Sequence, residues 1–151
     1  MKLIVDTNIA FSSILNSRGN IGKILFLSKG HFEFYSTFKL RHELVKHQEK
    51  LLKLTGYTKT ELEDIIHITT QKITFIAEEL IPLKHLLFAE RLLEDIDPDD
   101  TSFVALTKHL KGKLWTGDKV LCNGLIAKKF MNVITTQELS DLFDKLEKQK
   151  Q

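Results

Sequence analysis

The sequence predicts an α/β domain of three layers, with a central parallel sheet of about five strands between two layers of helices. Three observations carry that expectation. Short apolar runs rich in β-formers alternate with longer segments of helical periodicity along the whole chain. Parallel neighbours need crossover connections, which helices supply. The chain has 151 residues with 42% hydrophobic content, enough to bury one core and short for two. A single domain is expected over residues 1–142, with a charged tail at 143–151.

The elements follow in order. Lys2 to Val5 is an apolar run that stops at Asp6-Thr7-Asn8, as a buried strand ending in a turn does. After a polar stretch around Asn16 to Asn20, Ile21, Ile24, Leu25 and Phe26 recur at helical spacing and Gly30 supplies a stop. This is expected to be the first helix. Phe32 to Ser36 alternates and is aromatic, like a strand, while Leu40, Leu44, Val45, Leu51 and Leu52 fit one long helix carrying Glu43. Thr58 to Thr70 reads as a further helix capped by Thr58 or Thr60, with Leu62, Ile65 and Ile66 on one face. Ile73 to Ile76 is the third strand, followed by a helix from Leu83 to Leu93. Pro98 then takes a turn or first helical position, and Phe103, Val104, Leu106 and Leu110 continue as a helix. Lys113 to Trp115 and Val133 to Thr135 are the last strands, and a closing helix runs from Gln137 to Glu147.

Charge and cysteine content narrow the function. A formal net charge of +2 does not announce a polyanionic partner through bulk electrostatics, so any nucleic-acid site must be local. Cys122 is the only cysteine, which excludes an internal disulfide and a zinc site built on a thiolate pair. The longest apolar run, Ile21 to Leu27, is interrupted by Gly22 and Lys23 and is far short of the roughly 20 residues that span a bilayer. Met1 to Val5 reaches an aspartate too soon for a secretory signal. A cytoplasmic protein without a membrane partner is expected.

The carboxylates carry the chemistry. Taken singly, each has an ordinary explanation: Asp6 as a turn residue capping the backbone after it, Asp118 as the cap of a helix beginning at Lys119. Glu43 sits among Arg41, His42, Lys46 and His47 as a partner for cations at helical spacing. Residues 95–100 hold four aspartates, Asp95, Asp97, Asp99 and Asp100, some of which cap the next helix or favour its dipole. Their combination says more. In open parallel sheets ligands bind outside the carboxyl ends of the strands, where Asp6 and Asp118 fall. Clustered carboxylates repel one another and so imply cations, and oxygen-rich sites suit hard ions such as Mg2+ or Mn2+. Such ions lower the pKa of a bound water and neutralise phosphate oxygens, which is phosphodiester chemistry.

Four motifs in order, Asp6-Thr7-Asn8 after the first strand, Glu43 in the second crossover, Asp97 to Leu106 at a helix start, and Trp115-Thr116-Gly117-Asp118-Lys119, together resemble the PIN-domain ribonucleases. The resemblance runs from Met1 to about Leu142. It implies that Asp6, Glu43, Asp100 and Asp118 form an acidic quartet holding Mg2+ or Mn2+, with Asp97 as an additional member. Asn8 and Thr116 look like the family's polar companions, orienting carboxylates or a bound water. Asp99 and Asp100 compete for the third position; the family spacing of Phe103, Val104 and Ala105 selects Asp100. The small domain further resembles the toxin halves of VapBC-type toxin–antitoxin pairs, which implies an RNA substrate, a small antitoxin partner and a homodimer. Arg41, Lys46 and Lys119 are the cations nearest in sequence that can steer phosphate.

Other readings fit less well. His42 and His47 are five residues apart, roughly 140° around a helix, whereas a zinc-protease helix needs histidines four apart; both are expected at the surface. Asp95, Asp97 and Asp99 mimic the opening of a calcium loop, but Asp100 stands where glycine is needed and Leu106 where glutamate is. Gly19 to Lys23 is too short for a phosphate-binding loop. A metal-dependent phosphatase acting through an aspartyl phosphate needs an aspartate where Asn8 stands. From another class, a non-catalytic module binding RNA or protein through the same scaffold remains the rival.

Overall fold

Leu3, Ile4 and Val5 are fully buried, and they form the middle of a sheet that helices cover on both faces. The structure, a computed structural model, describes residues 1–28 and 30–150. In chain order the elements are β1 (Lys2–Val5), α1 (Thr7–Leu15), α2 (Asn20–Leu27), β2 (Glu33–Thr37), α3 (Phe38–Lys46), α4 (Gln48–Thr55), α5 (Lys59–Gln71) and β3 (Ile73–Ile76). There follow α6 (Leu83–Leu93), α7 (Thr101–Leu110), β4 (Lys113–Trp115), α8 (Lys119–Ala127), β5 (Val133–Ile134) and α9 (Thr136–Gln149). Single 3-10 turns at Glu78–Leu80 and Pro98–Asp100 precede α6 and α7.

All strand pairs are parallel, in the order β3-β2-β1-β4-β5. The chain builds outward from β1 to β3, then crosses back to β4 on the other side of β1. Right-handed crossovers therefore lay α1 to α5 on one face and α6 to α8 on the other. The three-layer α/β/α architecture is the one expected. The order reverses between β1 and β4, and the crevice at such a switch point is where open sheets bind ligands. Gly112 lets the chain enter β4 beside β1, because a Cβ there would lie 2.7 Å from the Lys2 carbonyl oxygen.

Two elements differ from the sequence reading. Residues 7–15, where the sequence offers only the turn at Asp6-Thr7-Asn8, form α1, so the helix starting near Ile21 is the second. Asp6 ends β1 and caps α1, its Oδ1 accepting from Ile9 N at 2.9 Å. The buried face of α1 is Ile9, Ala10, Ser13 and Ile14, in which Ser13 dilutes the apolar signal. The expected long helix is two, α3 and α4, joined at His47, which ends one and begins the other. Leu40, Leu44 and Leu51 stay buried across the break, so the apolar period runs on and hides it.

Other ends match their signals. Thr58 caps α5 in a capping box with Glu61, and Thr135 does the same for α9 with Glu138. Residues 143–149, expected as charged tail, continue α9, where Phe143 and Leu146 pack on the core and Glu147 bonds His31 Nε2 at 2.8 Å. Cys122 is buried.

Candidate active site

The cleft lies over the carboxyl ends of β1 and β4, with a volume of about 300 Å³. One wall is made of strand ends and helix starts. Asp6 leaves β1 with 3% of its surface exposed. Asp118 follows β4 through Thr116 and Gly117 and repeats the device of Asp6, its Oδ1 accepting from Leu121 N at 3.1 Å as the cap of α8. Thr116 stands between the two: its hydroxyl acts on the Asp6 carboxylate, favouring the charged form, and accepts from Asp118 N at 3.1 Å. Asp100 sits half-buried at the start of α7, where the Pro98–Asp100 turn delivers it. Asp97 starts that turn, accepting from Asp99 N at 3.0 Å.

The second wall is α3 and α4. Lys39 and Glu43, one helical turn apart, face the cleft, followed by His47 at the break and Lys50 on α4. His47 Nε2 bonds Glu43 Oε2 at 3.1 Å, and its ring meets Phe11 edge-on at 5.7 Å. Lys39 Nζ donates to the Asp99 carbonyl oxygen.

Asp6, Glu43, Asp97, Asp100 and Asp118, all named from sequence, thus border one cleft. Asn8 is also there, but it is its backbone N–H that favours the charged Asp6 carboxylate. Asp99 touches the cleft from an exposed position, whereas Asp100 is the one held near Asp6, Asp97 and Asp118. The phosphate-steering cations expected from sequence lie elsewhere. Arg41 stacks on Phe75, 4.3 Å from the ring centroid, Lys46 is exposed outside the cleft, and Lys119 lines a neighbouring groove. Sequence reasoning missed Lys39, Lys50, His47 and Thr7. His42 is exposed as expected, but His47 is half-buried in the cleft, where its position one helical turn after Glu43 sets the two side by side.

The electrostatics show what the cleft lacks. Burial pushes Asp6 up from 3.8 to about 6; the Thr116 hydroxyl and the Ile9 and Asn8 N–H groups oppose this, and the Asp118 carboxylate adds to it. Asp100 rises from 3.8 to about 7, first through burial and then through Asp97 and Asp6, with Lys39 opposing and Asp118 adding a little. Charge packed this closely favours protonation or a cation. The carboxylate donors are all oxygen, and the Thr7 hydroxyl, buried at the cleft, has no hydrogen-bond partner among the described residues. Among those residues no three Asp, Glu, His or Cys side chains converge tightly enough to chelate an ion alone. The donor set, oxygen throughout, is of the kind that suits a hard divalent cation.

Comparisons agree with the fold. A crystal structure of VapBC2 from Rickettsia felis, bound to a DNA fragment from their promoter, contains a similar chain with a TM-score of 0.63. The match is 16% identical and covers 89% of this chain and 97% of that one. No curated protein matches by sequence. The family model of the PIN domain matches residues 4–143. Its members are generally nucleases, and with nearly the whole chain matched, this protein belongs to the PIN-domain family.

Proposed function

We propose that the protein is a divalent-metal-dependent endoribonuclease, with residues 1–142 as its single nuclease domain, and that it acts as the toxin of a type II toxin–antitoxin pair. The observation that carries the nuclease reading is the convergence of Asp6, Glu43, Asp100 and Asp118, with Asp97 behind Asp100, on one open cleft at the sheet's switch point. Family membership adds to it.

In this reading Asp6, Glu43, Asp100 and Asp118 hold Mg2+ or Mn2+. The bound ion supplies a water of lowered pKa and neutralises charge on the phosphate oxygens. The protein does the rest. Backbone N–H groups at the starts of α1 and α8 fix the Asp6 and Asp118 carboxylates, so neither reorganises when substrate arrives. Thr116 couples the two, and Asp97 fixes the turn that carries Asp100. His47 holds Glu43 and so is not needed as a general base.

The toxin reading is supported by the likeness to the VapBC2 chain, and with it we propose a small antitoxin partner, a homodimer and a cytoplasmic setting. Among the described residues no helix is long and apolar enough to cross a membrane. Purified protein is expected to cleave single-stranded RNA with Mg2+ or Mn2+ and to stop with EDTA. Binding of RNA without cleavage under any divalent ion would instead favour the non-catalytic module. Growth arrest on expression, relieved by the product of a small adjacent gene, tests the toxin role; unaffected growth would remove that role and leave the nuclease.

A further inference from the structure

We propose that Lys39 and Lys50 form a phosphate rail on the α3–α4 wall, binding backbone phosphates of single-stranded RNA on either side of the one delivered to the carboxylates. This rests on the ribonuclease reading and extends it to the substrate path.

A polyanion entering the cleft meets Asp6, Asp97, Asp100 and Asp118 on one wall and Glu43 on the other. Its affinity must come from cations, and most of what holds RNA is phosphate contact. Among the described residues, Lys39 and Lys50 are the lysines that line the cleft. They flank Glu43 and His47 along one stripe: Lys39 a turn before Glu43, Lys50 just beyond the break at His47. The spacing makes the stripe: at about 100° per residue positions 39, 43, 47 and 50 fall on one side of the helix path, and helical phase carries through the joint at His47 so that both lysines line the cleft. Lys39 lies at the inner end, beside the Asp97–Asp100 turn, and Lys50 is exposed at the other.

Lys39 is poised rather than committed. Its ammonium donates to the Asp99 carbonyl, a neutral acceptor on an exposed turn, and passes 6.0 Å from the Phe103 ring centroid. A phosphate oxygen is a charged and stronger acceptor, so the flexible end of the chain exchanges one for the other. Lys84 lines a different groove, with Leu87, Phe88 and Arg91 on α6, and supplies the comparison.

The test is binding, separate from cleavage. In the full-length protein with Asp6→Asn to stop turnover, affinity for a fluorescein-labelled oligouridylate is measured by anisotropy in Mg2+ over a range of NaCl. Lys39→Gln and Lys50→Gln are each expected to weaken binding several-fold and to reduce the slope of log K against log [salt] by about 0.7. Lys39→Arg and Lys50→Arg restore the slope, which also separates charge from folding, and melting curves check each variant. Lys84→Gln leaves slope and affinity unchanged. An unchanged slope in the double Lys39→Gln, Lys50→Gln protein overturns the rail, as does an equal loss in Lys84→Gln. If the slopes change as expected but the wild type cuts no RNA, the rail stands and the nuclease reading falls.

Discussion

The two walls of the cleft face each other but are built differently. Asp6 and Asp118 are held by the sheet: each follows a strand whose apolar residues are wholly buried and caps the next helix. Lys39, Glu43, His47 and Lys50 belong to two short helices with a joint between them, and their side chains are half-buried or exposed. The first wall concentrates charge where it is costly. The second carries mixed charge where water screens it. On the proposed function, chemistry at the carboxylates would depend on core packing, whereas substrate affinity would be set on a wall that tolerates change.

The largest effect should come from the rigid wall. Asp6→Asn is expected to lower metal-dependent RNA cleavage by at least about 100-fold, with the fold retained because asparagine is also a good cap. Circular dichroism alongside a gel cleavage assay checks both. Beneath the same wall, Ile4→Ala should cost about 2–5 kcal/mol in denaturant unfolding, as a fully buried side chain in a close-packed core. Its counterpart on α3, Val45→Ala, lies at 73% exposure and should change stability by less than about 0.5 kcal/mol. Equal costs would erase the difference between the walls.

Glu43→Gln sharpens the comparison. Half-buried on the softer wall, it should raise the metal concentration for half-maximal cleavage by about 10-fold, a smaller loss than at Asp6. The smallest expected effect is on pH dependence. Asp6 and Asp100 stand at about 6 and about 7 in the folded protein, against 3.8 ordinarily. The folded state therefore holds protons that the unfolded chain has released, so metal-free stability falls as pH rises from about 4 to about 7 and levels off above. In EDTA the melting temperature should drop by a few degrees across that window. Mg2+ should restore more at the alkaline end, and Asp100→Asn should flatten the curve.

The contrast between the walls is also one of legibility. Strand-end aspartates show in sequence only in company: Asp-Thr-Asn or Thr-Gly-Asp after an apolar run is ordinary turn or cap chemistry taken singly, but the order of the acidic motifs along the chain matches a family. The cap at Asp118 was readable for the same reason. α1 was not, since Ser13 on its buried face and Asn8 at its start weaken the apolar period. The joint at His47 was not either, because the leucines on both sides keep helical phase through it. His47 reads as a surface histidine because nothing local marks its face of the helix as one that lines a cleft. Arg41 and Lys46 are the cations nearest Glu43 in sequence yet lie outside the cleft: Arg41, two positions away, is on another face of the helix and stacks on Phe75, and Lys46 is exposed at the end of α3. Asp99 and Asp100 differ by one position, and which is drawn inward depends on the turn that Asp97 caps.

The central claim is that the carboxylates of the rigid wall hold a divalent ion that RNA cleavage requires. Titration of Mn2+ followed by electron paramagnetic resonance tests it directly, on the wild type, Asp6→Asn and Asp100→Asn. Saturable binding is expected in the wild type, weakened by at least about 10-fold in each variant, with cleavage falling alongside. Cleavage that persists in EDTA, or Mn2+ affinity unchanged by both substitutions, would contradict it.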